Sequence, residues 1–491
     1  MVSEETLDPK DWEELRRLGH RMLDDMIDRH RDIREIPAQG SPPPEALGDI
    51  CVPLPSKGEG EERVYRVFQR SILPYGAANS RPRSWGLVAG TGSPFGMLAA
   101  MLTAGYNSYG ESPTSASGRV HNQVVDWIKE MIDYPEEAGG VLVSGGSEAN
   151  FTALAVARNA RAEIDVKTNG IQNVPRTMTV YVGDGGHHCL ERSVELLGIG
   201  GGNLRWIPSD SDCRIDIGEL KKAIANDRGQ GRHPFCLIGN AGTVDTGAFD
   251  DLNAMADIAS REKMWFHVDA AFGGWVRMSK SHRRLADGLE RADSVAIDLH
   301  KWMYMPYGIG CTLVKDKLAH YSTFVYGHEA KYLKTAFDRV KEQGDVLRNP
   351  HNLALPLSRE FPSLKAYMLL RAHGKEKYGR LIQQNLDQAN YLGDLLKSEP
   401  DIELTAPIAS NVVCFRYNPG GLSEDELNSL NNALAKELDK VNYRMFSDTS
   451  VKGRWSLRGA IVNHRSRHDD FDYAVKTVKE LGRKARIDLE K

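Results

Sequence analysis

Lys301 ends the apolar run Ser294-Val295-Ala296-Ile297-Asp298-Leu299-His300-Lys301-Trp302, so a single primary amine arrives beside an imidazole where a buried strand would stop. Upstream, Met264-Trp265-Phe266-His267-Val268 ends in Asp269, followed by Ala270-Ala271, and this carries a carboxylate to a comparable strand end. A lysine amine condenses with an aldehyde, and a carboxylate holds a ring nitrogen protonated. Together they allow a ring to take up the electrons of a bond broken at a substrate Cα. Taken singly, each residue has a blander reading: most lysines lie in solvent, and an aspartate after a strand commonly caps a helix. The apolar setting of Lys301 argues against the first, since a desolvated lysine loses its proton more readily.

Other residues extend the constellation. Ser144-Gly145-Gly146-Ser147-Glu148-Ala149-Asn150 joins an apolar run to a helical pattern through residues with little side chain, so backbone N–H groups at the helix start approach an anion closely and form a phosphate cup. It lacks the lysine of a triphosphate loop and the Gly-x-Gly-x-x-Gly spacing of a dinucleotide fingerprint. Gly183-Asp184-Gly185-Gly186-His187-His188 puts an imidazole after another strand-like run, suited to stacking on a flat ring. Neighbouring histidines point apart and no further ligand spacing supports them, so no metal is expected. Asp269-Ala270-Ala271 leaves space for a ring against the backbone at Ala271. A phosphate cup, an amine, a carboxylate and a stacking imidazole are what pyridoxal phosphate requires of a protein.

These residues need a sheet to hold them. From about Pro135 to Asp316, short apolar runs alternate with helical patterns: 141–143, 179–182, 204–207, 235–238, 264–268, 294–297 and 309–314, which predicts a largely parallel sheet wrapped by helices. Ligands in such sheets bind beyond the carboxyl ends of the strands, and Ser147, His187, Asp269 and Lys301 all follow strand ends. Beyond about Leu370 the pattern becomes helix (378–395), strand (411–416), helix (424–439), strand (455–462) and helix (469–481), a smaller α+β unit. Near the start, Trp12, Leu15, Leu18, Met22, Met26 and Ile27 form an apolar stripe on a helix that Ser41-Pro42-Pro43-Pro44 breaks. Such a stripe must be covered, by the rest of the chain or by a second subunit.

Composition narrows the class. The chain has 491 residues, 41% hydrophobic and 26% charged, enough for two or three domains with a sizeable core. A formal charge of -4 provides no global basic field for nucleic acid or an anionic membrane. The acidic start Met1-Val2-Ser3-Glu4-Glu5 does not read as a secretory signal, and no apolar run approaches membrane-spanning length. Six cysteines without a Cys-x-x-Cys pair read as reduced thiols in a cytoplasm.

The chain resembles the group II pyridoxal-phosphate-dependent decarboxylases, which include the aromatic amino acid, tyrosine, histidine and glutamate decarboxylases. The resemblance rests on Asn79-Ser80-Arg81-Pro82, Asp126-Trp127, 144–150, Asp184 to His187, Gly242-Thr243, His267 to Ala271, His300-Lys301-Trp302, Pro356-Leu357-Ser358-Arg359 and Leu457-Arg458 to Arg465. It makes Lys301 the lysine that carries the cofactor, Asp269 the partner of its pyridine nitrogen, His187 the stacking residue that also holds substrate, and Ala271 the packing on the other ring face. Gly146, Ser147 and His300 would bind phosphate, with Thr243 near the cofactor's oxygen side. It implies a homodimer with active sites shared across the interface and N-terminal helices swapped over the partner.

Two segments depart from the family pattern. Aromatic decarboxylases carry, before a Pro-Leu-Gly-Arg-like segment, a loop tyrosine that protonates the substrate carbon after carbon dioxide leaves; the matching place in Arg348-Asn349-Pro350-His351-Asn352 is Pro350. Relatives lacking it can turn to an oxygen-consuming reaction that yields an aldehyde. His351, Tyr326, His328 and Tyr332 are the substitute proton donors the sequence offers, and His351 is taken as the catalytic candidate. In the second, the family's Thr-Glu-Leu-Glu-like segment becomes Ser117-Gly118-Arg119-Val120-His121.

The expectation is therefore an α/β protein of the aspartate-aminotransferase-like fold (PLP fold type I), with a mixed, mostly parallel seven-stranded sheet. An N-terminal helical, dimer-swapped segment covers 1–80, a large cofactor-binding domain 81–368, and a small C-terminal domain 369–491. The expected activity is pyridoxal 5'-phosphate-dependent decarboxylation of an L-amino acid, with an aromatic side chain favoured by resemblance, in a cytoplasmic homodimer. The alternatives are the aldehyde-forming oxidative decarboxylase, a carbon-carbon lyase of the sphingosine-phosphate type, and a non-catalytic scaffold, against which Lys301 and Asp269 argue.

Overall fold

The computed structural model describes residues 4–37, 40–76, 78–108, 113–325 and 346–489. Seven strands, β1 (Gly139–Val143), β2 (Met178–Gly183), β3 (Leu204–Ile207), β4 (His233–Asn240), β5 (Trp265–Asp269), β6 (Ser294–Asp298) and β7 (Gly310–Val314), form one sheet in the order β1-β7-β6-β5-β4-β2-β3. β7 is antiparallel to β1 and β6, while the pairs from β6 outward to β3 are parallel. Helices cover both faces, so β5, β6 and β7 are buried along their whole length, and this is why they read as unbroken apolar runs. The crossings bring the ends of β1, β2, β5 and β6 to one edge.

A second, antiparallel sheet holds β8 (Ile402–Leu404), β9 (Val412–Tyr417), β10 (Ser447–Val451) and β11 (Arg454–Ala460) in the order β10-β11-β9-β8. β10 carries the polar sequence Ser-Asp-Thr-Ser-Val and has no strand signature of its own. It pairs with β11 across the two-residue turn Lys452-Gly453, both with positive φ (51° and 78°), a turn whose twist suits a hairpin.

Two expected boundaries sit differently in the structure. The helical stretch Pro362–Lys397 runs through position 368, and its break is at Gly374 (φ 72°, ψ 153°). Trp85, expected in the large domain, is fully buried in the core of the small sheet, stacked on Phe471 at 4.6 Å with its indole N–H donating to Ser466 Oγ at 2.9 Å. Tertiary packing decides both, and neither leaves a local pattern. On the N-terminal helix Trp12–Arg31, Leu18 is buried while Trp12, Leu15, Met22 and Ile27 stay 40–61% exposed. The described residues therefore leave most of that stripe in water. Among the described residues no helix is long and apolar enough to cross a membrane.

Candidate active site

β1 hands the chain through Ser144-Gly145 to the helix Gly146–Arg161, which begins earlier than the pattern from Glu148 indicates. No side chain caps it, because the cap residue is Gly145, and Ser144 before it gives its N–H and hydroxyl to Glu148, at 2.8 and 2.6 Å. The first N–H groups are left to a ligand, as an anion cup needs. Glycine is required here by close approach. A Cβ on Gly146 would lie 2.7 Å from Asp298 Oδ2 and 3.0 Å from the Ala271 Cβ, and one on Gly310 would lie 2.5 Å from Asp298 Oδ1.

Asp269, the last residue of β5, is buried. Its Oδ1 accepts the Ala271 N–H at 3.1 Å and its Oδ2 accepts from Asn150 Nδ2 at 3.2 Å. Because Asn150 donates there, its Oδ1 is the acceptor for His267 Nε2, 2.8 Å away, and His267 Nδ1 then accepts from the Ser294 hydroxyl at 2.9 Å. Burial drives the pKa of His267 down to about 3, so the ring is neutral and this tautomer fits. The chain Ser294–His267–Asn150 thus aims a neutral donor at Asp269. Burial raises the Asp269 pKa, with Lys301, the Ala271 N–H and His187 pulling the other way. A carboxylate so placed is stabilised strongly by a cationic partner, and a protonated ring nitrogen is one.

Lys301 differs from expectation in one respect. Burial does pull its pKa down, but Asp298 and Asp269 outweigh that and the net shift is upward. Its Nζ stands 2.9 Å from Asp298 Oδ2, so without a ligand the group is an ammonium in an ion pair, not a desolvated free amine. Neutralising Asp269 with a cationic ring partner removes part of that hold.

A cavity of about 350 Å³ is lined by Gly146, Ser147, His187, Thr243, Asp269, Ala271 and Lys301, together with Leu87, Val88, Asn150, Cys189, Tyr307 and Arg458 among others. Seven of the eight expected cofactor residues thus share one wall. The eighth, His300, lies just behind: its ring stacks on Tyr307 at 4.7 Å, and Nδ1 accepts the Ile309 N–H at 3.3 Å. His187 stands exposed at the mouth, its Nδ1 accepting the Cys189 N–H at 3.1 Å. Burial of its inner part lowers its pKa against the pull of Asp269, which keeps the ring neutral and flat-stacking near pH 7. Thr243 presents its surface to the cavity, but its hydroxyl is engaged in its own loop, accepting the Ala248 N–H at 3.1 Å. A larger groove of about 1040 Å³ elsewhere is lined by charges that pair with one another, such as Arg277 with Asp133 at 2.9 Å, and it lacks an amine beside a buried carboxylate.

His351 is a correction. It sits in the turn Pro350–Asn352, its Nδ1 within 2.7 Å of the Leu357 carbonyl, and Pro350 is buried beside it. Neither lines the cavity; Leu353 and Ala354 pack into a cluster with Val141, Val143, Ala149 and Ala296, which anchors the turn. The structure therefore does not bring His351 to Lys301 within one chain. Tyr326, His328 and Tyr332 lie outside the described residues. His121 is fully buried, with the Leu142 N–H directed at its Nε2 at 3.4 Å, and does not line the cavity.

Sequence reasoning missed Asp298, Asn150 and Arg458. Asp298 had a signal, since a carboxylate inside an apolar strand has to meet a cation. Arg458 donates to the carbonyls of Val244 and Gly86, both at 2.9 Å, while its buried Nε has no hydrogen-bond partner among the described residues.

Strand ends that gather an amine, a buried carboxylate and an uncapped helix start on a mixed α/β sheet define a pyridoxal-phosphate enzyme of fold type I. The chain belongs to the pyridoxal-dependent decarboxylase family, whose conserved domain it matches over residues 44–418. It is 29% identical over 479 residues to the aromatic-L-amino-acid decarboxylase of Bacillus atrophaeus, covering 97% of each chain. It is also 29% identical over 489 residues to the phenylacetaldehyde synthase of Arabidopsis thaliana, covering 97% of this chain and 98% of that one. The fold matches Oryza sativa TDC, solved with PLP and tryptamine, with a TM-score of 0.88 and 24% identity over 98% of this chain and 99% of that one. Pyridoxal phosphate is the cofactor, and the chain is a carboxy-lyase.

Proposed function

We propose that the protein decarboxylates an aromatic L-amino acid to its amine, with Lys301 carrying the cofactor and Asp269 facing its ring nitrogen. The observation that carries this reading is the shared cavity in which the Lys301 amine and the buried Asp269 face the uncapped helix start at Gly146 and Ser147. When bound, the cofactor supplies the electron sink for the bond broken at Cα. Asp269 would keep that sink cationic, the helix start and His300 would hold the phosphate, and His187 and Ala271 would pack on the ring. Arg458, a cation lining the same cavity, supplies positive charge for the substrate carboxylate. The aromatic preference is supported by the likeness to aromatic decarboxylases, and Leu87, Val88 and Phe272 give the cavity apolar wall.

The likeness to phenylacetaldehyde synthase favours a second reading, in which oxygen diverts the product to an aldehyde. The amine reading needs no further reactant and stands first. A panel of amino acids assayed in air for carbon dioxide, amine, aldehyde and peroxide decides between them. The expected result is amine equal to carbon dioxide with an aromatic substrate, whereas aldehyde and peroxide matching carbon dioxide would select the second reading. Turnover confined to a non-aromatic amino acid would overturn the substrate class.

The reading includes a large cofactor-binding and a small C-terminal domain, and a cytoplasmic homodimer that covers the N-terminal stripe. The exposed Trp12, Leu15, Met22 and Ile27 support the second subunit, and six unpaired cysteines support a reducing compartment. Activity in the cytosolic fraction and a sedimentation mass twice the chain's 54.6 kDa are the expected results. An active particle of single-chain mass would contradict the dimer.

A further inference from the structure

Asp298 closes β6 fully out of solvent, and the whole edge is built around it. Gly146 and Gly310 are the residues whose missing Cβ atoms make room for its two oxygens. Among the described residues its one close cation is Lys301 Nζ at 2.9 Å; His300 Nε2, on a ring that burial keeps neutral, lies 3.8 Å away, and neither oxygen accepts a well-directed hydrogen bond. A carboxylate so placed poses two difficulties for the site as proposed. It holds Lys301 as an ammonium, which is not a nucleophile, and it puts a negative charge beside the helix start that receives the cofactor's phosphate.

One proton movement removes both. We infer that Asp298 is the proton acceptor that frees Lys301 for the cofactor: the proton leaves Lys301 Nζ for Asp298 Oδ2, the ion pair becomes a neutral amine and a neutral carboxylic acid, and no other reactant is needed. The incoming phosphate favours the transfer, because a dianion at the Gly146 end stabilises a protonated Asp298 over a charged one. When Lys301 is released again by substrate, the same carboxyl returns the proton. The other titratable or charged groups facing Lys301 are Asp269, His187, His300, Cys189, Tyr307 and the more distant Arg458. Asp269 is committed to the ring nitrogen, while His300 Nδ1 is tied to the Ile309 N–H and His187 Nδ1 to the Cys189 N–H. Asp298 is thus a positioning residue that acts through Lys301, and the inference rests on Lys301 being the cofactor lysine.

The test begins with the full-length protein freed of cofactor. Lys301 is labelled with acetic anhydride across pH 6 to 10 and quantified by mass spectrometry against the exposed Lys476. Asp298→Asn is expected to move the Lys301 titration to lower pH, with labelling at pH 8 up by about ten-fold or more. An unchanged titration in a variant with wild-type circular dichroism overturns the proposal. A second measurement needs no variant: on cofactor uptake the wild-type infrared difference spectrum must gain the carbonyl band of a protonated carboxylic acid. Absence of that band overturns it equally. Labelling reports the ion pair whether or not Lys301 binds cofactor, so a failure of the lysine assignment itself would appear separately, in which lysine the cofactor marks.

Discussion

Lys301→Ala is expected to lower turnover by about 10⁴-fold or more, since among the described residues it removes the one primary amine lining the cavity, the group that condenses with an aldehyde to an imine. The fold should survive, because the ammonium's charge contacts are with two site carboxylates, Asp298 and Asp269. Alanine leaves the Asp298 carboxylate buried without its close cation, a cost of roughly 3–5 kcal/mol. The variant should therefore bind pyridoxal phosphate weakly and reversibly, without covalent attachment. Retention of more than a tenth of wild-type turnover would mean that another amine does the work.

Asp269→Asn is expected to cost several kcal/mol of transition-state stabilisation, roughly 10² to 10⁴ in rate, because a neutral side chain cannot hold the ring nitrogen protonated. The hydrogen-bond geometry sharpens the expectation. Both donors to Asp269, the Ala271 N–H and Asn150 Nδ2, point at carboxylate oxygens, so an amide in its place turns its own NH₂ on one of them. Weakened cofactor binding accompanies the lost rate, and saturating cofactor separates the two: binding is restored and the rate is not. Near wild-type turnover at saturating pyridoxal phosphate would contradict the electronic role of Asp269.

The sequence made the strands and their reactive ends legible because buried parallel strands leave continuous apolar runs, and Asp269 and Lys301 interrupt those runs where chemistry needs them. It did not reveal β10, whose polar residues form a strand only because β11 lies across the Lys452-Gly453 turn. Trp85 joins the small-sheet core through Phe471 and Ser466, contacts hundreds of positions away in the chain, which no local period records. The same limit explains the site. His351 has the right chemistry at a plausible spacing, but within one chain its turn is anchored through Leu353 and Ala354 and does not line the cavity. Asp298 sits in the very run that announces Lys301, and its role became visible only when the fold brought Gly146 and Gly310 around it. Asn150 and His267 lie on different elements, and only the fold joins them behind Asp269.

Borohydride reduction of the purified holoenzyme, followed by peptide mapping, tests the central claim most directly. Reduction turns a labile link between lysine and cofactor into a stable one, so the mass of the reduced cofactor must appear on the peptide that contains Lys301, and near one equivalent per chain. Attachment to any other lysine, or no attachment in an active preparation, would contradict the account.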